Sequence, residues 1–177
     1  MIANPIILIE GMSDTALQRA GGFALIVCGT AAAAFWAMAA YAGTFAGAAV
    51  VQTPSWIVEH SLHVLSALLG VFGFIALFAA QREEAGLLGV VGFVLATIGN
   101  VLFLADGIIA LVIFPALARN DPTLLELSGA MSQGAVRGFF NRPPGPAPMI
   151  ALAIGGSFWA LSAIWLGLLL VKRAGSQ

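Results

Sequence analysis

Four long stretches of this sequence carry almost no charge, and each is long enough to cross a lipid bilayer once as a helix. No charged residue occurs in 20–51 or in 143–171. Residues 56–80 contain only Glu59, His60 and His63, and residues 85–118 contain only Asp106. A helix needs about 20 apolar residues to traverse the hydrocarbon core. None of the four runs shows the ten-residue alternation of an outer-membrane barrel strand. Charged residues make up 8% of the chain, against about 25% in an ordinary soluble domain. With 60% apolar residues and a mean hydropathy of +1.01, the surface of such a fold is suited to lipid.

These features predict an all-α polytopic membrane protein. The expected architecture is an antiparallel bundle of four transmembrane helices, at residues 21–46, 54–80, 86–116 and 148–171 of a single membrane domain. Residues 1–20 read as an interfacial lead-in, with an apolar patch at Ile6 to Ile9 and a helix start at Ser13-Asp14. Thr53-Pro54 has the form of a cap followed by proline at the first helical position. Trp56 reads as an indole anchored at headgroup level. Gln81-Arg82-Glu83-Glu84 is the expected polar turn between the second and third spans. Residues 117–147 form the longest connection; Asp121-Pro122 followed by Leu124, Leu125, Leu127, Met131 and Val136 predicts an amphipathic helix on the outer surface.

Arg19, Arg82, Lys172 and Arg173 fall on the side shared by the two termini, and Arg119, Arg137 and Arg142 on the other. Short basic flanks face the cytoplasm, so both termini are expected there, in a bilayer such as a bacterial inner membrane. The first apolar run exceeds the 7–15 residues of a signal-peptide core, which argues for a retained span. A formal charge of −1 gives no basic stripe for nucleic acid. The single cysteine, Cys28, has no partner for an internal disulfide.

Small residues mark helix contacts in lipid, where no hydrophobic force drives helices together. Span four offers Ala153, Gly156, Ala160, Ala163 and Gly167; span one offers Gly29, Ala33, Trp36, Ala40, Gly43 and Gly47. On span three Gly92, Gly99 and Asp106 are spaced by seven, and on span two Glu59, His63, Ser66, Gly70 and Gly73 form one stripe. Both stripes are expected to face inward, which would gather Tyr41, Glu59, His60, His63, Asp106 and Ser157 in the outer half of the membrane. Intramembrane ionisable residues mark function more often than not.

Three chemistries suit such a cluster. Tyr41, His60, His63 and Ser157 can line a binding pocket for an apolar ligand or cofactor, as in a subunit of a homo-oligomer or larger membrane complex. His63 with Asp106 and Glu59 can serve as an acid–base set for isomerisation, cyclisation or hydrolysis of a lipid-like substrate. Glu59, His60, His63 and Asp106 are the candidate metal ligands, although the spacing matches neither His-Glu-x-x-His nor a repeated Glu-x-x-His. With only two histidines, less than one turn apart on one helix, a single chain cannot clamp haem between two imidazoles. One axial histidine to haem or a pigment remains compatible. A purely structural role, an interhelical hydrogen bond that binds nothing, is the simplest alternative.

Overall fold

The computed structural model of the chain describes residues 14–42, 48–125 and 146–176. Those residues are almost wholly helical, with no strand among them. Four helices are long and apolar enough to cross a membrane: Thr15–Ala39, Pro54–Arg82, Gly86–Asn120 and Gly156–Gly175, numbered spans 1 to 4. The first helix begins at Asp14, so residues 14–20 continue span 1 instead of forming a separate lead-in. The patch at Ile6 to Ile9 lies outside the described residues, as does the expected surface helix beyond Leu125. Of that connection, residues 122–125 are helical, and the Asp121 carboxylate accepts from the Leu124 amide at 3.3 Å. Leu125 is buried with Val51, Trp56, Ala110 and Ala118 in a small apolar cluster.

Span 2 starts as its sequence anticipates. The Thr53 hydroxyl accepts from the Trp56 amide at 3.3 Å, and Pro54 occupies the first helical position. Gln81 to Glu84, expected as the turn, are helical. The backbone breaks at Gly86, with φ 56° and ψ −162°. That conformation disfavours any residue with a Cβ. Nothing lies within 4 Å of a Cβ built at Gly86, so backbone strain alone decides a substitution there. Gly86→Ala should lower stability by roughly 1–2 kcal/mol, read as a fall in midpoint in a denaturation series.

Contacts between spans run through glycine and alanine. Phe78 stacks on Phe93 at 4.4 Å, Gly70 lies under the Asn100 amide, and Gly107 lies under His63. Asn100 is buried and donates to the Ala67 carbonyl at 2.6 Å. Gly21 sits against Ala76, and Gly73 against Leu25, bringing span 1 onto span 2. Gly22 and Gly29 of span 1 meet Gly167, Ala160 and Ile164 of span 4, while Trp36 covers Gly156. Arg19 donates to the Ala174 carbonyl at 3.2 Å, and Arg173 lies 3.7 Å from Glu84.

Span 3 departs from its expected orientation. Gly92, Gly99 and Asp106 are exposed, and the inward positions are Asn100, Gly107 and Ala110. Small residues signal a close approach on some face without saying which partner approaches, so the glycine stripe alone picked the wrong side. Ala33 of span 1 is likewise exposed.

Proline shapes the C-terminal end of span 3. Residues Ile109–Ile113 form a π-helical turn in which the Phe114 amide bonds to the Ile109 carbonyl. The next donor in that pattern would be residue 115, and Pro115 has no N–H. The Ala110 carbonyl is therefore free, and it accepts from the Trp56 indole at 2.8 Å. Trp56 is 5% exposed, so it is a buried strut between spans 2 and 3, not the headgroup anchor its position suggests.

Candidate functional site

The buried face of span 2 carries an unusual run of polar groups. Glu59, His60, His63 and Ser66 are 3%, 7%, 1% and 0% exposed. They share a face because spacings of three and four return to the same side of a helix. His63 lies nine residues beyond Pro54, about 14 Å along the helix axis.

Each imidazole has a distinct setting. His60 stacks on Trp56 at 3.9 Å, and its Nδ1 donates to the Trp56 carbonyl at 3.0 Å. Trp56 is in turn held by the carbonyl that Pro115 frees, so a kink on span 3 fixes a ring on span 2. Trp56→Phe should cost about 1 kcal/mol, as one buried acceptor loses its donor. The same change should loosen His60, seen as a broadened or shifted imidazole resonance.

His63 is held differently. Its ring lies 3.8 Å from Phe103 and 4.5 Å from Phe35, in a sandwich between spans 3 and 1. A Cβ at Gly107 would come within 3.1 Å of the imidazole carbons, so glycine is what makes room for the ring. Phe103 also faces Trp36 at 6.5 Å and Trp159 of span 4 at 5.9 Å. All four spans thus contribute to one aromatic cage. The Phe103 backbone lies close to the imidazole but outside hydrogen-bond geometry, and neither ring nitrogen of His63 has a partner. Ser66 does not fill that role, since its hydroxyl donates to the His63 carbonyl at 2.8 Å.

The remaining expected site residues are placed apart from this face. Asp106 is exposed on the flank of span 3, one residue and about 100° from the inward Gly107. No hydrogen bond joins it to either imidazole. Ser157 is exposed, and the side chain of Tyr41 lies outside the described residues. Among the described residues no group of three or more His, Cys, Asp or Glu side chains converges as a metal site would require. His60 and His63 stand 6.2 Å apart on one face.

Residue-by-residue reading missed the aromatic cage. Phe35, Trp36, Phe103 and Trp159 are ordinary packing residues when taken singly. Pairing the spans by register would have found them, because Phe35 and Phe103 fall at the height of His63.

A neutral imidazole offers one donor and one acceptor. Held in an apolar cage, it can grip a hydroxyl, carbonyl or carboxyl on an otherwise apolar molecule. Comparison with protein-family models, with curated proteins and with solved structures finds no match for this chain.

Proposed function

We propose that this chain is a membrane-embedded binding protein whose outer-half site, built on His63 with Glu59 and His60, holds the polar head of an apolar ligand or cofactor. The observation that carries this reading is the imidazole of His63, 1% exposed, with both nitrogens lacking a hydrogen-bond partner. An orphaned buried polar group costs about 1–3 kcal/mol. A leucine there would pack without that cost, so a ligand-binding role gives the histidine a reason to be present. The binding reading is favoured over acid–base catalysis by a His63–Asp106 pair, because Asp106 faces outward and makes no bond to the ring.

The architecture we infer is an antiparallel four-helix bundle. In support, Phe78 with Phe93, Gly70 with Asn100 and His63 with Gly107 pair in opposite chain order, as do Gly22 with Gly167 and Gly29 with Ala160. Arg19, Arg173 and Glu84 share one end. We place that basic end, with both termini, in the cytoplasm of a bacterial inner membrane, and the site in the opposite leaflet.

Native mass spectrometry of protein extracted directly from membranes tests the binding reading. The wild type should carry a small molecule in fixed stoichiometry that is missing from His63→Leu. A visible absorption band would narrow the ligand to haem or a pigment. Identical adducts on both proteins would overturn the proposal.

A further inference from the structure

We propose that the exposed flank of span 3 is the contact between two copies of this chain, with Asp106 of each copy hydrogen-bonded to its own counterpart. Span 3 is the least covered of the four, with 17% of its most apolar window buried. Its flank carries Gly92, Gly99 and Asp106 at seven-residue spacing, and a Cβ at either glycine would meet nothing within 4 Å. A seven-residue repeat keeps one face towards a partner helix in a left-handed crossing.

The carboxyl is the independent observation. Gly107 contacts His63, so the neighbouring Asp106 sits at the same depth, about 14 Å inside span 2. An ionisable group exposed there would face hydrocarbon, which is costly. The lysines and arginines within the spans, Arg19, Arg82, Arg119, Lys172 and Arg173, all lie within about a turn of a span end. No lysine or arginine of the spans therefore meets Asp106 at its own level.

A second copy solves this by symmetry. Two chains inserted the same way round are related by a two-fold axis along the membrane normal, so a residue near that axis meets itself at equal depth. A protonated carboxyl both donates and accepts. Identical groups can then satisfy each other, which a lone lipid-facing acid cannot do. The flank also presents both projecting side chains and a hollow. Leu88 and Leu95, 86% and 64% exposed, stand beside an open groove of about 180 Å³ whose lining includes Gly89, Gly92, Phe93 and Ala96. Leucines of one copy supply knobs and the groove of the other receives them.

Disulfide mapping in full-length protein reconstituted in phosphatidylcholine–phosphatidylglycerol vesicles tests this contact. Gly99→Cys should cross-link to a dimer under mild oxidation. Val101→Cys, exposed but about 200° round the helix, should not. The wild type controls for Cys28, which is fully buried. Adding Asp106→Leu to Gly99→Cys should weaken association roughly three- to fifteenfold, while Asp106→Asn, which can still donate and accept, should preserve most of it. Equal cross-linking at both sites, no cross-linking at either, or indifference to Asp106→Leu would overturn the proposal. None of these changes touches the buried core, so loss of fold would not mimic the result.

Discussion

Leucine in place of Gly29 is expected to separate spans 1 and 4 and to destabilise the protein by more than about 3 kcal/mol. Gly29 faces the Ala160 carbonyl and Ile164, and a Cβ there would press on the backbone of span 4. The approach is reciprocal: a Cβ at Gly167 would lie 2.5 Å from the Gly22 carbonyl and 2.8 Å from Ile26. Backbone atoms cannot rotate away as a side chain can. Inserting one or two methylenes into a packed core usually costs about 1–3 kcal/mol, and leucine adds an isobutyl group at a contact already closed. In lipid this interface relies on close packing, so moving the backbones apart removes the attraction itself. Ala33→Leu is the matched control, because Ala33 is an exposed position of the same helix; it should change stability by less than about 0.5 kcal/mol. Unfolding titrations in mixed micelles would compare the two. Similar midpoints for both variants would refute the tight span 1–span 4 contact.

The second large effect concerns His63, where stability and function should move in opposite directions. His63→Leu keeps side-chain volume nearly constant, a class of change that cores tolerate well. It removes two orphaned nitrogens and gives up ring contacts with Phe35 and Phe103 worth about 0.5–1.5 kcal/mol each. Relief of the orphaned group, about 1–3 kcal/mol, offsets that loss. The variant should therefore be as stable as the wild type or more so. Ligand retention should fall roughly ten- to hundredfold, the equivalent of one or two lost hydrogen bonds to a desolvated group. A large drop in stability would assign His63 a structural role. His60→Leu is expected to behave in the ordinary way, losing stability, because its Nδ1 already donates to Trp56.

The contrast between these two histidines shows what the sequence could reveal. Hydropathy and charge spacing were enough for four helices, since the cost of charge in lipid leaves few alternatives. The inward face of span 2 was legible too: Glu59, His63, Ser66, Gly70 and Gly73 recur at helical spacing, and all five are buried. The inward face of span 3 was not. Gly92, Gly99 and Asp106 make a regular stripe, yet Asn100 and Gly107 make the contacts. Both sides of that helix carry small residues, and only the register against span 2 separates them.

Two further features depended on pairing across long distances. The link from Pro115 through the Ala110 carbonyl to Trp56 joins positions 54 residues apart. A proline near a helix end reads locally as a terminator, and its effect here is a π turn inside a helix that continues to Asn120. The cage around His63 draws four aromatic residues from three other spans. No local pattern marks Phe35 or Phe103, because phenylalanine suits lipid and core equally.

The most direct test of the site is the ¹⁵N spectrum of its histidines. The chain contains two, His60 and His63, so side-chain labelling yields four ring nitrogens that single substitutions can assign. Spectra would be compared for protein in its native membranes and for protein stripped of ligand and placed in synthetic phosphatidylcholine nanodiscs. The His63 nitrogens should shift between the two states as their hydrogen bonding changes, while the His60 Nδ1, tied to Trp56, stays in place. Identical His63 shifts in both settings would mean that this imidazole binds nothing in the membrane and serves the fold alone.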